Sequence, residues 1–141
     1  MRVLIDTNLL VRLIDTTNIN HARAVEAVTN LWVAGRIPIL VPQSIYEFWT
    51  AATRSCEANG LGSSAEQAER DVDYLLSEFP LLPDRPELPQ TFIELVVRHN
   101  VTGTNAYDAR LAAAMLTHGV THLLTFNAKD FRRLGIEVIE P

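Results

Sequence analysis

The sequence predicts an α/β fold in which a mostly parallel sheet of about five strands is covered by helices on both faces. Short runs of consecutive apolar residues recur along the chain, and such runs are typical of strands that are buried on both faces of a sheet. Longer segments with apolar residues at helical spacing separate these runs. Because alternating strands and helices are typical of parallel sheets with helical crossovers, we expect a three-layer architecture. A length of 141 residues suits one domain, which we expect to span residues 1–141.

The predicted strands are continuous apolar segments. The weakest is 79–82, and the last is expected to lie at the edge of the sheet. In chain order they are residues 3–5, 37–41, 79–82, 122–126 and 136–139.

The predicted helices show apolar residues three or four positions apart. In the third helix, for example, Ile45, Phe48, Trp49 and Ala52 fall on one face. Gly35 is expected to end the second helix. In chain order the helices are 7–15, 20–34, 44–58, 65–78, 86–99 and 106–118, followed by a short one after residue 127.

Composition favours a folded protein of the cytoplasm. Apolar residues make up 48% of the chain and charged residues 21%, so we do not expect disorder. No secretory signal and no apolar run near the ~18 residues of a membrane span is present. The one cysteine, Cys56, cannot form an intramolecular disulfide, which suits a reducing compartment, and we expect it to be a small packed side chain within a helix.

The net charge of −5 argues against a broad basic surface for nucleic acid. If four acids are assigned to one site, however, the remaining 13 acids nearly balance the 12 bases. All but one of those bases are arginines, whose planar fork suits phosphate. Nucleic-acid binding therefore stays compatible with the composition.

Four acids and one asparagine fall at or near the starts of predicted helices. Asp6 directly follows the first strand, and Glu47 lies about one turn into the helix after the second. Asp108 lies in the first turn of a later helix, and Asn127 and Asp130 flank the start of the last one. Because ligands bind outside the carboxyl ends of the strands in such folds, we expect these side chains to share a site.

Helix capping is an alternative explanation for each acid taken alone. Asp6 suits an N-cap, and Ser44 with Glu47 matches the Ser-x-x-Glu pattern of a capping box. The pairs Asn105/Asp108 and Asn127/Asp130 repeat that spacing. What favours a common site is that Asp6, Asp130 and Glu47 follow predicted strand ends, which a parallel sheet gathers at one edge.

A shared site would need a cation. Two carboxylates ~4 Å apart repel by about 4 kcal/mol at an effective dielectric constant of ~20. Oxygen ligands favour Mg²⁺, for which Mn²⁺ can substitute, and no His or Cys spacing suits zinc. We expect Asp6 and Asp108 to hold the metal and Glu47 to orient a metal or its water.

Four motifs carry a family resemblance that extends across nearly the whole chain. In order they are Leu-Ile-Asp-Thr-Asn, Ser-Ile-Tyr-Glu-Phe, Asn-Ala-Tyr-Asp-Ala-Arg-Leu-Ala-Ala-Ala and Leu-Leu-Thr-Phe-Asn-Ala-Lys-Asp-Phe. Each motif alone is weak, but four in this order are specific. Together they resemble the PIN-domain family, and in particular the VapC-type toxins of bacterial toxin–antitoxin pairs.

The resemblance implies a magnesium-dependent endoribonuclease that leaves a 5′-phosphate. It makes Asp6, Glu47 and Asp108 metal-site residues and places the fourth position at Asn127, where many relatives have an acid. Asparagine removes a charge there, which would weaken a second metal or shift that role to Asp130. Three further expectations follow from the resemblance: Thr125 corresponds to a hydroxyl that touches the site, the protein is a homodimer, and an antitoxin covers the acidic pocket.

Basic residues near the motifs are candidates for contacts with RNA phosphates, although ordinary surface charge is the alternative. They are Arg110, Lys129, Arg132 and Arg133.

Two other functions remain open. A haloacid-dehalogenase-like phosphatase would use Asp6 as a nucleophile, but that motif has a second Asp where this chain has Asn8. A catalytically weak or inactive RNA-binding or scaffold protein of the same fold is favoured by Asn127.

Overall fold

The computed structural model describes all residues, 1–141, and contains a four-stranded sheet with helices on both faces. The strands are β1 (Arg2–Ile5), β2 (Ile37–Ile39), β3 (His122–Leu124) and β4 (Glu137–Ile139). The helices are α1 (Thr7–Ile14), α2 (His21–Val33), α3 (Pro42–Thr53), α4 (Ala65–Glu78), α5 (Leu88–Arg98), α6 (Ala106–Leu116) and α7 (Ala128–Arg132). Two short 3₁₀ turns cover Cys56–Ala58 and Gly103–Asn105.

The sheet is parallel throughout, with the strand order β2-β1-β3-β4. Leu4 and Leu123 face a core built with α5, α6 and α7. Their neighbours Val3, Ile5 and Leu124 face a second core built with α1 to α4. This alternation explains the continuous apolar runs, because both sides of each central strand are covered. The predicted α/β class and its three layers are confirmed.

The prediction of about five strands was too high by one. Residues 79–82 do not form a strand and contribute only a single bridge, in which Leu81 pairs with Leu40. Pro80 lies within this segment and Pro83 follows it, and a proline has no N–H for a strand ladder. Phe79 is buried but Leu81 is 43% exposed, so burial does not continue along the segment.

The third helix begins and ends earlier than predicted. It starts at Pro42, which suits a first helical position, and it ends at Thr53 instead of residue 58. Beyond it the chain turns back, so that the N–H of Leu61 donates to the carbonyl of Ala51. A Cβ on Gly60 would lie 1.9 Å from the Arg54 carbonyl oxygen, so this return requires glycine.

Cys56 lies in this returning segment and is exposed, which corrects the expectation of a packed helical side chain. The physical reason is the early end of α3: the residues after it form an exposed 3₁₀ turn in place of another buried helical turn.

No helix in the chain combines the length and the apolar character that a membrane crossing requires.

Candidate active site

The site lies at the carboxyl ends of the two central strands, where the strand order changes direction. From β1 the chain passes to β2 on one side, whereas β3 lies on the other side of β1. Such a switch point leaves a crevice between the two loops that follow the strands. Asp6 follows β1 and Thr125 follows β3 by one residue, and the Thr125 hydroxyl donates to Asp6 Oδ2 at 2.6 Å.

Asp6 is a buried carboxylate that is held by neutral donors. Its Oδ1 accepts from the Thr7 backbone N–H at 2.7 Å, and its Oδ2 accepts from Asn8 Nδ2 at 2.7 Å and from Thr125. Only 6% of Asp6 is exposed. Burial raises the pKa of Asp6 to about 6; the bonds from Thr125 and Thr7 oppose this rise, and the charges of Glu47 and Asp108 add to it.

Glu47 is oriented from both sides. Its Oε2 accepts from the Thr7 hydroxyl at 3.0 Å, and its Oε1 accepts from Gln43 Nε2 at 2.7 Å. Gln43 is itself buried and fixed, because it also donates to the Tyr107 carbonyl and accepts from Arg110 Nη1. Residues of α1, α3 and α6 thus meet around one glutamate.

Asp108 supplies a carboxylate that makes no hydrogen bond within the chain and is only partly buried. Because α6 leads into β3, its first turn lies at the carboxyl edge of the sheet. Burial raises the pKa of Asp108, the charges of Asp130 and Glu47 raise it further, and Arg133 opposes the rise.

Asp6, Glu47, Asp108 and Asn127 line one cavity of about 690 Å³. Asp130 does not line it but is near enough to repel Asp108. The structure therefore brings together four of the five side chains expected to share a site and leaves Asp130 outside the cavity. The roles assigned to them stay predictions.

Capping accounts for Asp6 but not for the other acids. The Asp6 side chain caps α1, whereas the side chains of Asn105 and Asn127 make no capping bond to α6 and α7. Because α3 begins at Pro42, Glu47 lies in its second turn and not at the third position of a capping box. Helix stability alone thus does not explain why these acids face one cavity.

The donor set suits a cation that keeps part of its water shell. No group of three or more histidine, cysteine, aspartate or glutamate side chains lies close enough together to hold a metal ion by itself. Mg²⁺ is usually held by one or two carboxylates and several waters, so it does not require such a cage. Asp6 and Asp108 offer the oxygen ligands, and neither forms an ion pair with Arg or Lys. The site therefore fits Mg²⁺ better than zinc, which favours a closed set of nitrogen and sulfur ligands.

The predicted phosphate-contacting residues lie in different surroundings. Arg110 is engaged by Gln43 and by an ion pair with Asp84 at 2.9 Å, and Arg132 pairs with Glu140. Lys129 is exposed. Their contact with RNA stays a prediction. To bind a phosphate, Arg110 and Arg132 would first have to break their ion pairs with Asp84 and Glu140.

Several residues of the site were not singled out from the sequence. Asn8 bridges the two strand ends, because its Nδ2 also donates to the Thr125 hydroxyl at 3.1 Å. Thr7 and Gln43 orient Glu47, and Arg12 and Arg54 line the same cavity. The Asp-Thr-Asn segment that follows the first strand could have indicated Thr7 and Asn8. No local pattern distinguishes Gln43, Arg12 and Arg54 from ordinary helix residues.

Replacing Thr125 with Val tests how Asp6 is held. The substitution keeps the shape but removes a hydroxyl that serves Asp6, Asn8 and the Asn127 N–H. We expect the free energy of unfolding to fall by about 1–3 kcal/mol, because buried polar groups lose their partner. The pKa of Asp6 should rise above its value of about 6, since a bond that lowers it is lost. Urea unfolding and NMR titration measure both, and Thr125→Ser, which keeps the hydroxyl, should change neither appreciably.

Comparisons with known proteins agree with this geometry. A family model described as the PIN domain matches residues 3–137. Among solved structures, the chain is similar to VapBC2 from Rickettsia felis bound to a promoter DNA fragment, with 17% identity, a TM-score of 0.74 and coverage of 100% of this chain and 99% of that one. It is also similar to VapC20 from Mycobacterium tuberculosis, described as a toxin that cleaves the sarcin-ricin loop, with 20% identity, a TM-score of 0.70 and 99% coverage of both chains.

A toxin–antitoxin complex from Klebsiella pneumoniae is a further match, with 19% identity, a TM-score of 0.61 and coverage of 92% and 89% of the two chains. At these identities the likeness shows the fold. No curated protein matches the chain by sequence.

Proposed function

Because this chain belongs to the PIN-domain family, we propose that it is a magnesium-dependent endoribonuclease and the toxin of a toxin–antitoxin pair. The observation that carries the proposal is the convergence of Asp6, Glu47 and Asp108 on one cavity at the switch point of the sheet. The charges of Glu47 and Asp108 help to raise the pKa of Asp6, and a cation bound among the three would offset this repulsion. Mn²⁺ can replace Mg²⁺ among oxygen ligands.

Each acid has a distinct task in this proposal. Asp6 and Asp108 would hold Mg²⁺, and Glu47, fixed by Thr7 and Gln43, would orient the attacking water. When bound, the cation lowers the pKa of water and offsets charge on the phosphate. Asp6 is turned toward the cavity by Asn8 and Thr125, so little reorganisation is needed. Asn127, which lines the same cavity, would supply a neutral oxygen ligand, with Asp130 outside the cavity as the alternative acid.

The test is cleavage of RNA by the purified protein with and without Mg²⁺. We expect internal cuts in a labelled RNA when Mg²⁺ is present, no cleavage after EDTA, and recovery when Mg²⁺ is restored. Asp73→Asn is a matched control, since it removes an exposed acid on α4 that does not line the cavity, and it should cleave normally. Cleavage that persists in EDTA would contradict a metal-dependent site.

The partners follow from the same family. We propose a homodimer and a cognate antitoxin, supported by the similar folds that are described as toxin–antitoxin complexes. With cellular RNA as substrate, the protein would act in the cytoplasm. Light scattering with the purified chain tests the dimer, and co-purification with the product of an adjacent small gene tests the antitoxin.

One alternative has an observation in its favour. Asn127 in place of an acid, together with the absence of a closed chelating group, suits a weak or inactive RNA-binding member of the family. RNA binding without cleavage at any Mg²⁺ or Mn²⁺ concentration would favour it. The phosphatase motif has a second Asp where this chain has Asn8. The Asn8 amide donates to Asp6 and Thr125, so this alternative lacks support.

A further inference from the structure

Arg12 is an arginine without an acidic partner that lies on the wall of the acidic cavity. It belongs to the last turn of α1, and the cavity that it lines also contains Asp6, Glu47 and Asp108. The only ion pairs in the chain are Arg110 with Asp84 and Arg132 with Glu140. Its positive charge is therefore not neutralised by a carboxylate in contact with it.

The Arg12 guanidinium is held in a fixed position. Its Nη1 donates to the Asn8 carbonyl at 2.6 Å, and its central carbon lies 4.6 Å from the centroid of the Phe126 ring. Phe126 follows β3, so the arginine spans the same two strand ends as the Asp6–Thr125 contact. A guanidinium seated on an aromatic ring is already oriented and loses little freedom when it binds an anion.

The hydrogen-bonding capacity of Arg12 is largely unused. Its Nε is the only buried side-chain nitrogen or oxygen in the chain that has no hydrogen-bond partner. Its Nη2 makes no hydrogen bond and is not among the buried atoms. Buried donors are seldom left unpaired, and an exception calls for an explanation such as a missing water or ion.

Other arginines near the cavity are less suited to this role. Arg54 also lines it, but its side chain is exposed and Nη2 already donates to the Asn59 carbonyl at 3.3 Å. Arg23 lies 5.5 Å from the Phe126 centroid, but its Nε donates to the Pro141 carbonyl and it lines a different cavity. Arg12 combines a fixed position, a free charge and access to the acidic cavity.

We propose that Arg12 binds an RNA backbone phosphate next to the phosphate that is cleaved. This inference rests on the proposed ribonuclease function and adds a substrate-binding residue to it. Arg12 forms no ion pair with Asp6 or with any other acid, although it lines the same cavity as Asp6, Glu47 and Asp108. An RNA strand bound in this cavity would therefore present one phosphate to the acids and another to Arg12.

The test separates RNA binding from cleavage by using Asp6→Asn as the parent. Binding of a short fluorescein-labelled single-stranded RNA is followed by anisotropy from about 50 to 200 mM KCl. Arg12→Gln in this parent should weaken binding about tenfold. It should also reduce the slope of log K against log salt by about 0.7, the value for one phosphate contact on a single strand. Arg98→Gln, which removes an exposed arginine from α5 outside the cavity, should change neither quantity.

Two further variants distinguish binding from a structural role. Arg12→Lys keeps the charge and should keep the salt slope, while the loss of the planar contact with Phe126 weakens binding several-fold. Phe126→Leu should also keep the salt slope and weaken binding several-fold, because the charge of Arg12 remains but the aromatic ring beneath it is lost. In the protein that retains Asp6, Arg12→Gln should raise KM with little change in kcat. Thermal melts identify any variant that does not fold. If Arg12→Gln does not fold, the comparison of Arg12→Lys with its parent serves as the test.

Three outcomes decide the matter. If Arg12→Gln binds RNA with the affinity and salt slope of its parent, the inference is wrong and the proposed function is unaffected. If neither the parent nor the unchanged protein binds or cleaves RNA, both are wrong. A loss of affinity without a change in slope would mean that Arg12 acts through structure and not by contact with a phosphate.

Discussion

Asp6→Asn is expected to abolish RNA cleavage and, at the same time, to make the protein more stable at neutral pH. Activity should fall by more than about a hundredfold, because changing even an outer-shell partner of a metal site costs ~10–100-fold. Stability should rise because a buried charge is removed while the shape is kept. Asparagine is as good an N-cap as aspartate, so α1 should lose little.

The gain in stability depends on pH in a defined direction. Burial raises the pKa of Asp6 in the folded state from 3.8 to about 6. Between these values the folded state holds a proton that the unfolded state has released, so stability decreases as pH rises through this window and levels off above pH 6. A shift of about two units corresponds to about 3 kcal/mol at most. At pH 7 we therefore expect Asp6→Asn to add about 1–3 kcal/mol, and this gain should disappear as the pH approaches 4.

Urea unfolding in EDTA at several pH values measures this difference, and the cleavage assay supplies the activity. Asp73→Asn should be neutral in both measurements. If Asp6→Asn lowers stability at pH 7, the carboxylate contributes more as a hydrogen-bond acceptor than its burial costs. If it cleaves RNA normally, Asp6 is not part of the active site.

Mg²⁺ is expected to raise the melting temperature of the unchanged protein but not that of Asp6→Asn. A ligand that binds only the folded state adds about 1.4 kcal/mol at ten times its dissociation constant and about 2.7 kcal/mol at a hundred times. For a chain of this length each kcal/mol corresponds to roughly 2–4 °C. Saturating Mg²⁺ should therefore raise the melting temperature by about 5–10 °C, in part because it relieves the repulsion among Asp6, Glu47 and Asp108.

Ionic strength must be matched with KCl in this experiment, since screening alone weakens repulsion between charges. Asp73→Asn should show the full shift, whereas Asp108→Asn should show a reduced one. An equal shift in Asp6→Asn and in the unchanged protein would place the cation elsewhere. Calorimetric titration with Mg²⁺ gives the stoichiometry and so distinguishes one ion from two.

Much of the fold could be predicted because it follows from periodicity. The helix 65–78 agrees with α4 at both ends, and the strand runs agree with β1 to β4 within a few residues. The false strand at 79–82 and the overextended third helix have separate causes. Pro80 interrupts the first segment, where Leu81 is exposed, and beyond Thr53 the chain folds back on α3.

The acids of the site could be predicted because strand ends converge in a parallel sheet. The residues that orient them could not, because their partners are distant in sequence. Gln43 contacts Arg110 across 67 positions, and no local pattern records such a pair. The same limit applies to Arg12, whose significance comes from a phenylalanine that follows a strand near the other end of the chain.

The hydrogen bond between Thr125 and Asp6 joins residues that are 119 positions apart. Synthesis runs from Asp6 toward Thr125, so Asp6 lacks this partner until the residues between them and β3 have been made. A growing chain therefore has no assembled cavity before β3 pairs with β1. The ribonuclease activity proposed above would begin only after that pairing.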